Sequence, residues 1–278
     1  MRINDLDLKN WKQYSNILTD SLWIINKRDS SDAHSGEYWG NFIPQIPNQM
    51  LLRYTREGET VLDAFLGLGT TLIECVRLRR NGIGIELNAE IARIAKAKIE
   101  AQQKISKSNA KIKILIGDSR KINIREKAGI EGVQLLILHP PYHDVIKFSS
   151  DKRDLSNAPS VEEYLHMFNE VLENTTPLLD SKRFLVLVIG DKYQRGEWVP
   201  LGFLTMNEVL NFGFKLKSII VKNIVGNERG KGLANNLWRY RAFKAGFYIF
   251  KHEYIMVFQK NRKQKNDSKI HRLVHSSS

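Results

Sequence analysis

The sequence predicts an α/β fold built on a doubly wound, mainly parallel sheet of seven strands, with an antiparallel pair at one edge. From residue 60 onward, short apolar segments alternate with segments of helical periodicity. The apolar segments are nearly continuous, which is typical of strands whose two faces are both covered by helices. The last two strands follow each other without a clear helix between them, so we expect them to be antiparallel.

The elements come in a regular order along the chain. Strands are predicted at 60–63, 82–86, 112–116, 134–138, 184–189, 217–223 and 254–259, and helices at 70–80, 89–102, 161–175 and 201–211. The second helix, for example, carries Ile91, Ile94, Ala95 and Ile99 at helical spacing. About thirty residues separate the last two strands. This is too long for a hairpin turn and indicates an insertion.

Length and composition predict one main domain with short additions. The chain has 278 residues, of which 42% are hydrophobic, enough for a substantial core. We expect an N-terminal arm at 1–40, a main domain at 41–260 that includes a basic insertion at 225–251, and a basic polar tail at 261–278. No apolar run has transmembrane length, and the N-terminus lacks the apolar core of a signal peptide, so a cytoplasmic protein without membrane contact is expected.

Charge and cysteine content narrow the class of protein. The formal net charge of +13 favours a polyanionic partner, although a basic but unspecialised surface is an alternative. Cys75 is the only cysteine, which excludes internal disulfides and cysteine-rich metal sites, and no metal site is predicted. It follows Glu74 within a predicted helix and is interpreted as buried filler rather than as a nucleophile.

The first informative motif follows the strand at 60–63. It consists of Asp63, Phe65, Gly67, Gly69, Thr70 and Thr71 within the segment 63–71. The glycines allow a sharp turn and a close approach to a ligand, and the threonines can cap the next helix. The segment is neither a complete dinucleotide fingerprint nor a phosphate loop. An acid before the glycines favours a positively charged ligand, such as a sulfonium cofactor.

Two further acids end the next two strands. Glu86 lies 23 positions after Asp63, where an acid is suited to the ribose hydroxyls of an adenosine group. Asp118 follows the third strand and can accept a hydrogen bond from an adenine amino group. A single acid at a strand end is often a capping or surface carboxylate. Three acids at consecutive strand ends favour a cofactor site.

The second motif is His139, Pro140, Pro141 and Tyr142 at the end of the fourth strand. The prolines fix a corner and donate no backbone hydrogen bonds, which leaves carbonyl oxygens free for a substrate. Tyr142 offers a flat face for stacking. The side chain at 139 and the Pro140 carbonyl can hold the two hydrogens of an exocyclic amino group and orient its lone pair toward a methyl donor. The alternative is a Pro-Pro turn beside a packed tyrosine.

Together the two motifs resemble those of S-adenosylmethionine-dependent DNA amino-methyltransferases. That family has an Asp-Pro-Phe-x-Gly-x-Gly-Thr-Thr cofactor motif and an Asp-, Asn- or Ser-Pro-Pro-Tyr catalytic motif. The resemblance covers about residues 40 to 260 and implies a class I methyltransferase sheet. It also implies that Phe42, Ile43 and Pro44 belong to a segment closing over the cofactor methionine, and that 252–258 is the closing strand. Ala64 and His139 depart from the family pattern, and His139 leaves the target base open.

The basic insertion is the candidate DNA-reading region. It contains Arg229, Lys231, Arg239, Arg241 and Lys244, interleaved with Trp238, Tyr240, Phe243, Phe247 and Tyr248. Such a pattern suits phosphates and exposed bases, whereas a small aromatic core under a solvated face is the alternative. Lys147, in the loop 143–157, is a further candidate for contact with a flipped base.

The sequence thus predicts a DNA methyltransferase that acts on the exocyclic amino group of a flipped base, N6 of adenine or N4 of cytosine. Double-stranded DNA is the expected partner, with a cognate restriction endonuclease as a further one. An RNA methyltransferase and a catalytically silent nucleic-acid-binding protein are the alternatives. If His139 accepts as a neutral imidazole, activity should fall below about pH 6.

Overall fold

A computed structural model describes residues 2–34, 40–194, 196–224 and 235–261. Arg229 and Lys231 lie outside these residues, as does nearly all of the predicted tail. Within the described chain, no helix is both long and apolar enough to span a bilayer.

Ten strands and seven α-helices are found within the described residues. The strands are β1 (Leu22–Trp23), β2 (Thr60–Asp63), β3 (Asn81–Glu86), β4 (Ile112–Ile116), β5 (Val133–Leu138), β6 (Leu179–Ile189), β7 (Lys192–Gln194), β8 (Glu197–Val199), β9 (Phe214–Asn223) and β10 (His252–Lys260). The helices are α1 (Gln45–Tyr54), α2 (Thr70–Arg77), α3 (Ala89–Ser106), α4 (Ile124–Ala128), α5 (Val161–Thr175), α6 (Leu201–Asn211) and α7 (Asn235–Ala245).

The main sheet confirms the predicted fold class and has one strand more than expected. Eight strands follow the order β1-β9-β10-β6-β5-β2-β3-β4, and β7 pairs with β8 separately. The extra strand, β1, lies parallel to β9, and its two residues are too few to produce a periodic signal in the sequence. The last strand, β10, is antiparallel to both β6 and β9. The antiparallel pair β9–β10 therefore exists but does not form the outer edge.

The segment between β9 and β10 also differs from its prediction. We expected no clear helix there, whereas α7 lies near its middle. Its side chains have no amphipathic pattern, because aromatic and basic residues alternate along the segment. A helix without an apolar stripe gives no periodic signal in the sequence.

Helices cover both faces of the sheet. On one face α1, α2 and α3 pack through residues such as Met50, Leu72 and Ile99. On the other face α5 and α6 pack through Phe168 and Val209. The central strand β5 is fully enclosed between these layers, since Leu135 and Leu136 have no exposed surface. This burial explains its continuous apolar sequence.

The strand order has a switch point between β2 and β5. The chain runs outward from β2 to β3 and β4, then returns to form β5 on the other side of β2. At such a point the loops that follow the two strands diverge and leave a crevice at their carboxyl ends. The loops after β2 and β5 are those that begin at Asp63 and His139.

Candidate active site

A cleft of about 590 Å³ opens at the carboxyl ends of β2, β3 and β5. Its walls include ten of the residues predicted from the sequence: Phe42, Ile43, Phe65, Gly67, Glu86, Asp118, His139, Pro140, Pro141 and Tyr142. The tertiary structure thus brings the two sequence motifs together around one cavity. The other five, Pro44, Asp63, Gly69, Thr70 and Thr71, do not line it.

Asp63 is a buried carboxylate beneath the glycine turn. Its Oδ1 accepts a hydrogen bond from the Phe65 amide at 2.9 Å. Its Oδ2 makes no hydrogen bond of regular geometry among the residues that the structure describes. Burial raises the pKa of Asp63 to about 6, although the nearby Thr71 hydroxyl lowers the pKa of the carboxyl. A buried acid with an unpaired oxygen is stabilised by a nearby positive charge.

The turn after Asp63 depends on its two glycines. Gly67 and Gly69 adopt positive φ angles of 53° and 84°, which side chains rarely tolerate. Gly69 is the N-cap of α2, so the expected capping by Thr70 and Thr71 is wrong. Thr70 instead donates from Oγ1 to Asn41 Oδ1 at 2.7 Å, which ties the turn to the N-terminal segment.

Glu86 supports the same turn from β3. Its Oε2 accepts from the Gly67 amide at 2.9 Å, and its Oε1 accepts from the Asn88 amide at 2.9 Å. Burial raises the pKa of this carboxyl. Glu86 therefore links the glycine turn to the loop after β3 while it lines the cleft.

Asp118 lines the cleft but is already paired. Arg120 donates to both of its oxygens, with Nη2 at 2.8 Å from Oδ2 and Nε at 3.0 Å from Oδ1. Arg120 also reaches Glu170, at 3.0 Å from Nη1. The sequence did not predict this arginine, and Asp118 is more constrained than the free acceptor we expected.

Phe42 places an aromatic ring against the corner formed by residues 139–142. Its ring lies 4.6 Å from the His139 ring, centroid to centroid, with the planes inclined by 60°. Arg28 holds the Phe42 backbone, since its Nη1 donates to the Phe42 carbonyl at 3.0 Å. Pro44 is the N-cap of α1 and does not face the cleft.

The corner after β5 is held by a chain of polar contacts. His139 Nε2 lies 3.3 Å from the Tyr142 hydroxyl, which donates to Glu253 Oε2 at 2.8 Å. Lys222 Nζ donates to Glu253 Oε1 at 2.8 Å, and both of these charged side chains are buried. The Pro141 carbonyl accepts from the Tyr164 hydroxyl at 2.8 Å.

Tyr142 has room because the residue behind it is a glycine. A Cβ added at Gly190, just after β6, would lie 2.9 Å from Cε2 of the Tyr142 ring. Real Cβ atoms essentially never approach another atom so closely. Burial and the neighbouring Glu253 carboxylate raise the pKa of the Tyr142 hydroxyl well above its ordinary value. Tyr142 is therefore a neutral phenol that can donate.

The state of His139 differs from the sequence-based expectation. Burial, with a further contribution from the Lys222 charge, lowers the pKa of its imidazole to about 4, although Glu253 acts in the opposite direction. The ring is thus neutral at pH 6, where we expected protonation to reduce activity. Burial could not be inferred from the local sequence.

A model of the DNA methylase family (N6/N4 methyltransferases) matches residues 2–97 and 133–277. The matched residues form well over half of the chain and include both motifs. The chain belongs to the DNA methylase family. Membership confirms the predicted family, its S-adenosylmethionine-dependent type of chemistry and its Rossmann-like fold.

Curated relatives of the DNA methylase family match over shorter stretches. The chain is 38% identical over 63 residues to the type II methyltransferase M.MjaII of Methanocaldococcus jannaschii, covering 23% of this chain and 12% of the relative. It is 37% identical over 79 residues to the type II methyltransferase M.SmaI of Serratia marcescens, covering 28% and 26%. The matches thus span about a quarter or less of these relatives' length.

A solved structure supports the fold alone. The crystal structure of TrmN from Thermus thermophilus superimposes with a TM-score of 0.52 and 17% sequence identity. The alignment covers 79% of this chain and 49% of that one.

Sequence reasoning missed two charged residues of this DNA methylase site, Lys222 and Glu253. Lys222 lies near the end of β9 and Glu253 near the start of β10, and they are direct partners in the antiparallel ladder. Glu253 is the only acid in β10 and precedes an apolar run, which signals a buried charge that needs compensation. Lys222 is one of three lysines in β9, so its sequence gives no such signal. The sequence cannot say that these two charges meet, since the register between the strands decides it.

The predicted nucleic-acid-binding residues that the structure describes are all exposed. Arg239, Arg241 and Lys244 lie on α7, and Lys147 lies in the loop after β5. Arg239 covers the Phe243 ring at 5.1 Å, and Arg241 covers the Trp238 ring at 5.4 Å. The loop that carries Lys147 reaches the cleft, since Ile146 and Phe148 line it.

The aromatic residues of the insertion divide into two groups. Phe247 stacks on Tyr193 at 4.2 Å, and Phe250 packs on Trp198 at 4.1 Å, so this end is anchored to the β7–β8 pair. Tyr240, Phe243 and Tyr248 are 60%, 74% and 87% exposed. The alternative of a small aromatic core thus applies to Phe247 and Phe250. Tyr240, Phe243 and Tyr248 are exposed to solvent.

Proposed function

We propose that this chain is a site-specific DNA methyltransferase that moves a methyl group from S-adenosylmethionine to the exocyclic amino group of a flipped base, N6 of adenine or N4 of cytosine. One observation carries the proposal. The acidic glycine turn after β2 and the His-Pro-Pro-Tyr corner after β5 open into the same cleft, from adjacent strands. A methyl donor bound at the first would lie beside a substrate bound at the second.

The cofactor half of the cleft fits a cationic, adenosine-containing group. Asp63 supplies a buried carboxylate with an unpaired oxygen below the turn, which favours positive charge. Glu86 supplies a carboxylate at the position suited to ribose hydroxyls, and Phe42, Ile43 and Phe65 supply apolar walls. The cofactor, when bound, supplies an electrophilic methyl group on a sulfonium.

The substrate half of the cleft fits a flat base with an amino group. Tyr142 offers its ring, and His139 and the Pro140 carbonyl offer acceptors for the two amino hydrogens. A neutral imidazole has one nitrogen lone pair, so the low pKa of His139 supports its role as an acceptor. Holding both hydrogens fixes the direction of the amino lone pair, and orientation of this kind is a major part of catalysis.

DNA contact is assigned to basic residues of the insertion and of the loop after β5. Lys147, Arg239, Arg241 and Lys244 are the described members of this set, with Arg229 and Lys231 added from the sequence alone. Phosphate contacts of this kind position a duplex without reading its sequence. We propose double-stranded DNA as the substrate, a cognate restriction endonuclease as a further partner and the cytoplasm as the location. We also propose the division into an N-terminal arm (1–40), a main domain (41–260) and a tail (261–278) from the sequence.

Nucleoside analysis after incubation with labelled S-adenosylmethionine tests the proposal. Duplex DNA, single-stranded DNA and RNA are offered in parallel, and the label is expected in N6-methyladenine or N4-methylcytosine of duplex DNA. Label in RNA alone would support an RNA methyltransferase. DNA binding without any transfer of label would support the catalytically silent alternative.

A further inference from the structure

The geometry points to Lys222, Glu253 and Tyr142 as a relay that sets the tautomer of His139, so that Nδ1 carries the lone pair and takes the proton that the substrate amino group loses. This inference rests on the proposed methyl transfer and adds two positioning residues, Lys222 and Glu253. It also gives His139 a role that a carboxamide or a hydroxyl at that position does not have.

Glu253 is paired with a lysine. Lys222 Nζ donates to its Oε1 at 2.8 Å, and the ion pair is nearly enclosed, with Lys222 4% and Glu253 7% exposed. An ionised carboxylate only accepts hydrogen bonds. The second oxygen, Oε2, lies 2.8 Å from the Tyr142 hydroxyl, so Tyr142 must be the donor in that contact.

A phenol carries a single hydrogen on its oxygen. Because Tyr142 gives its hydrogen to Glu253, its oxygen can only accept from His139 Nε2, which lies 3.3 Å away. Nε2 must therefore carry a hydrogen, and in a neutral imidazole the lone pair then belongs to Nδ1. No hydrogen bond to Nδ1 is found within the described part of the chain, and His139 lines the cleft.

Methyl transfer releases a proton from the amino group. As the new carbon–nitrogen bond forms, the carbon–sulfur bond of the sulfonium breaks and its electron pair stays on sulfur. The amino nitrogen, now bonded to four atoms, is cationic and must lose one hydrogen as a proton. Nδ1 receives this proton, so the positive charge that left the sulfonium ends on the imidazolium. Nε2–H continues to donate to Tyr142, whose hydroxyl donates to Glu253.

The surroundings of His139 suit a transient positive charge. The Glu253 carboxylate on β10 favours the imidazolium, whereas the Lys222 charge on β9 opposes it. The Tyr142 phenol and the Phe42 ring, which also contact His139, are uncharged. The ring is thus neutral before transfer and can be charged by a strongly acidic, newly methylated amine.

The test is a measurement of the tautomer in the whole protein without cofactor or DNA. Nitrogen NMR of protein labelled at histidine reports which ring nitrogen carries hydrogen, and the loss of one signal in His139→Asn assigns the residue. In the wild type we expect hydrogen on Nε2. In Glu253→Gln the amide oxygen must face Lys222, so the amide NH₂ faces Tyr142. Tyr142 then donates to Nε2, and the hydrogen should move to Nδ1.

A rate measurement completes the test. In Glu253→Gln a hydrogen on Nδ1 of His139 would prevent it from accepting the proton. The single-turnover rate of methylation should then fall about a hundredfold, the lower end of what a positioned proton acceptor contributes. DNA affinity should stay nearly unchanged. Tyr254→Phe is the matched control. It removes another tyrosine hydroxyl from a buried carboxylate, that of Asp191 at 3.1 Å, and neither residue lines the cleft, so its rate should equal the wild-type rate.

The outcomes separate the relay from the proposed function. Hydrogen on Nε2 in both wild type and Glu253→Gln would overturn the relay, and an inverted tautomer with a wild-type rate would overturn the role of Nδ1. If Glu253→Gln does not fold, Tyr142→Phe carries the test with the Lys222–Glu253 pair intact: a mixed tautomer and a lowered rate support the relay, and no change in either contradicts it. A wild-type protein that methylates no nucleic acid would refute the proposed function and Nδ1 as proton acceptor, whereas the tautomer result would still stand.

Discussion

Asp63 lies directly opposite Ile137 in the parallel ladder between β2 and β5, two residues before His139. This register places the acidic end of one motif beside the start of the other, although 76 positions separate Asp63 from His139 in the chain. A shift by one residue would turn either side chain to the opposite face of the sheet. The cleft therefore depends on the pairing of these two strands as much as on either motif.

The pKa of Asp63 predicts a pH dependence of cofactor binding. Its ionised form attracts a cation, and its pKa is raised to about 6, so protonation opposes binding as the pH falls through 6. We expect the dissociation constant of S-adenosylmethionine to rise below pH 6, toward tenfold per pH unit, with release of a proton on binding. Calorimetry in buffers of different ionisation enthalpy measures both. In Asp63→Asn, binding should be at least about tenfold weaker and independent of pH in this range. A wild-type affinity that is constant from pH 7.5 to 5 would contradict this role.

Glu86 and Asp118 should differ in their importance to the cofactor. Each Glu86 oxygen accepts from a backbone amide, so Glu86→Gln replaces one acceptor with a donor facing an N–H group. We expect this change to weaken S-adenosylmethionine binding by about tenfold or more, equivalent to about 1.4 kcal/mol. Asp118→Asn should have a smaller effect, because Arg120 already occupies that carboxylate. Equal losses in the two variants would show that Asp118 contacts the cofactor despite Arg120.

The rate of methyl transfer should persist to lower pH than the sequence predicts. The pKa of His139 is lowered to about 4, so the neutral ring persists as the pH falls from 7 to 5 and is lost only near pH 4. With cofactor at saturation, we expect a single-turnover rate that is flat between pH 7 and 5. His139→Ala should lower that rate more than it lowers DNA affinity. A wild-type rate that falls with a midpoint near pH 6 would show that the ring is more solvated than this structure has it.

The exposed arginines of α7 should contribute to the salt dependence of DNA binding. Arg239→Gln with Arg241→Gln should weaken binding and reduce the slope of log affinity against log salt concentration by about 0.9 for each lost phosphate contact. Fluorescence anisotropy at several salt concentrations measures the slope. Arg93→Gln on α3 is the control, because Arg93 is also exposed but pairs with Glu90. An unchanged slope in the double variant would place DNA contact elsewhere.

Removing either charge of the buried Lys222–Glu253 pair should lower the free energy of unfolding. Lys222→Met leaves the Glu253 carboxylate buried without its cation, and breaking such a pair typically destabilises a protein by about 3–5 kcal/mol. Urea unfolding should show this loss, and the double change Lys222→Met with Glu253→Gln should recover most of it. Glu90→Gln, which breaks an exposed pair, should leave the unfolding midpoint unchanged. Additive losses in the double variant would mean that the pair is not coupled.

Much of the fold followed from local patterns. The strand at 60–63 and the helices at 161–175 and 201–211 have the predicted bounds, because each buries a continuous or periodic set of apolar side chains. The prediction failed for β1 and α7 for opposite reasons. A two-residue strand is too short to show a period, and α7 has no apolar stripe.

The sequence by itself determined the order of the seven long strands and of helices α2, α3, α5 and α6, together with the acidic glycine turn and the Pro-Pro corner, since these depend on residues that are close together in the chain. The tertiary structure alone decided which charges meet. Lys222 faces Glu253 between two adjacent strands, and Arg120 reaches Glu170 on α5, 50 positions further along the chain. It also decided that His139 is neutral, because the pKa of a side chain depends on the water and the charges that surround it in space.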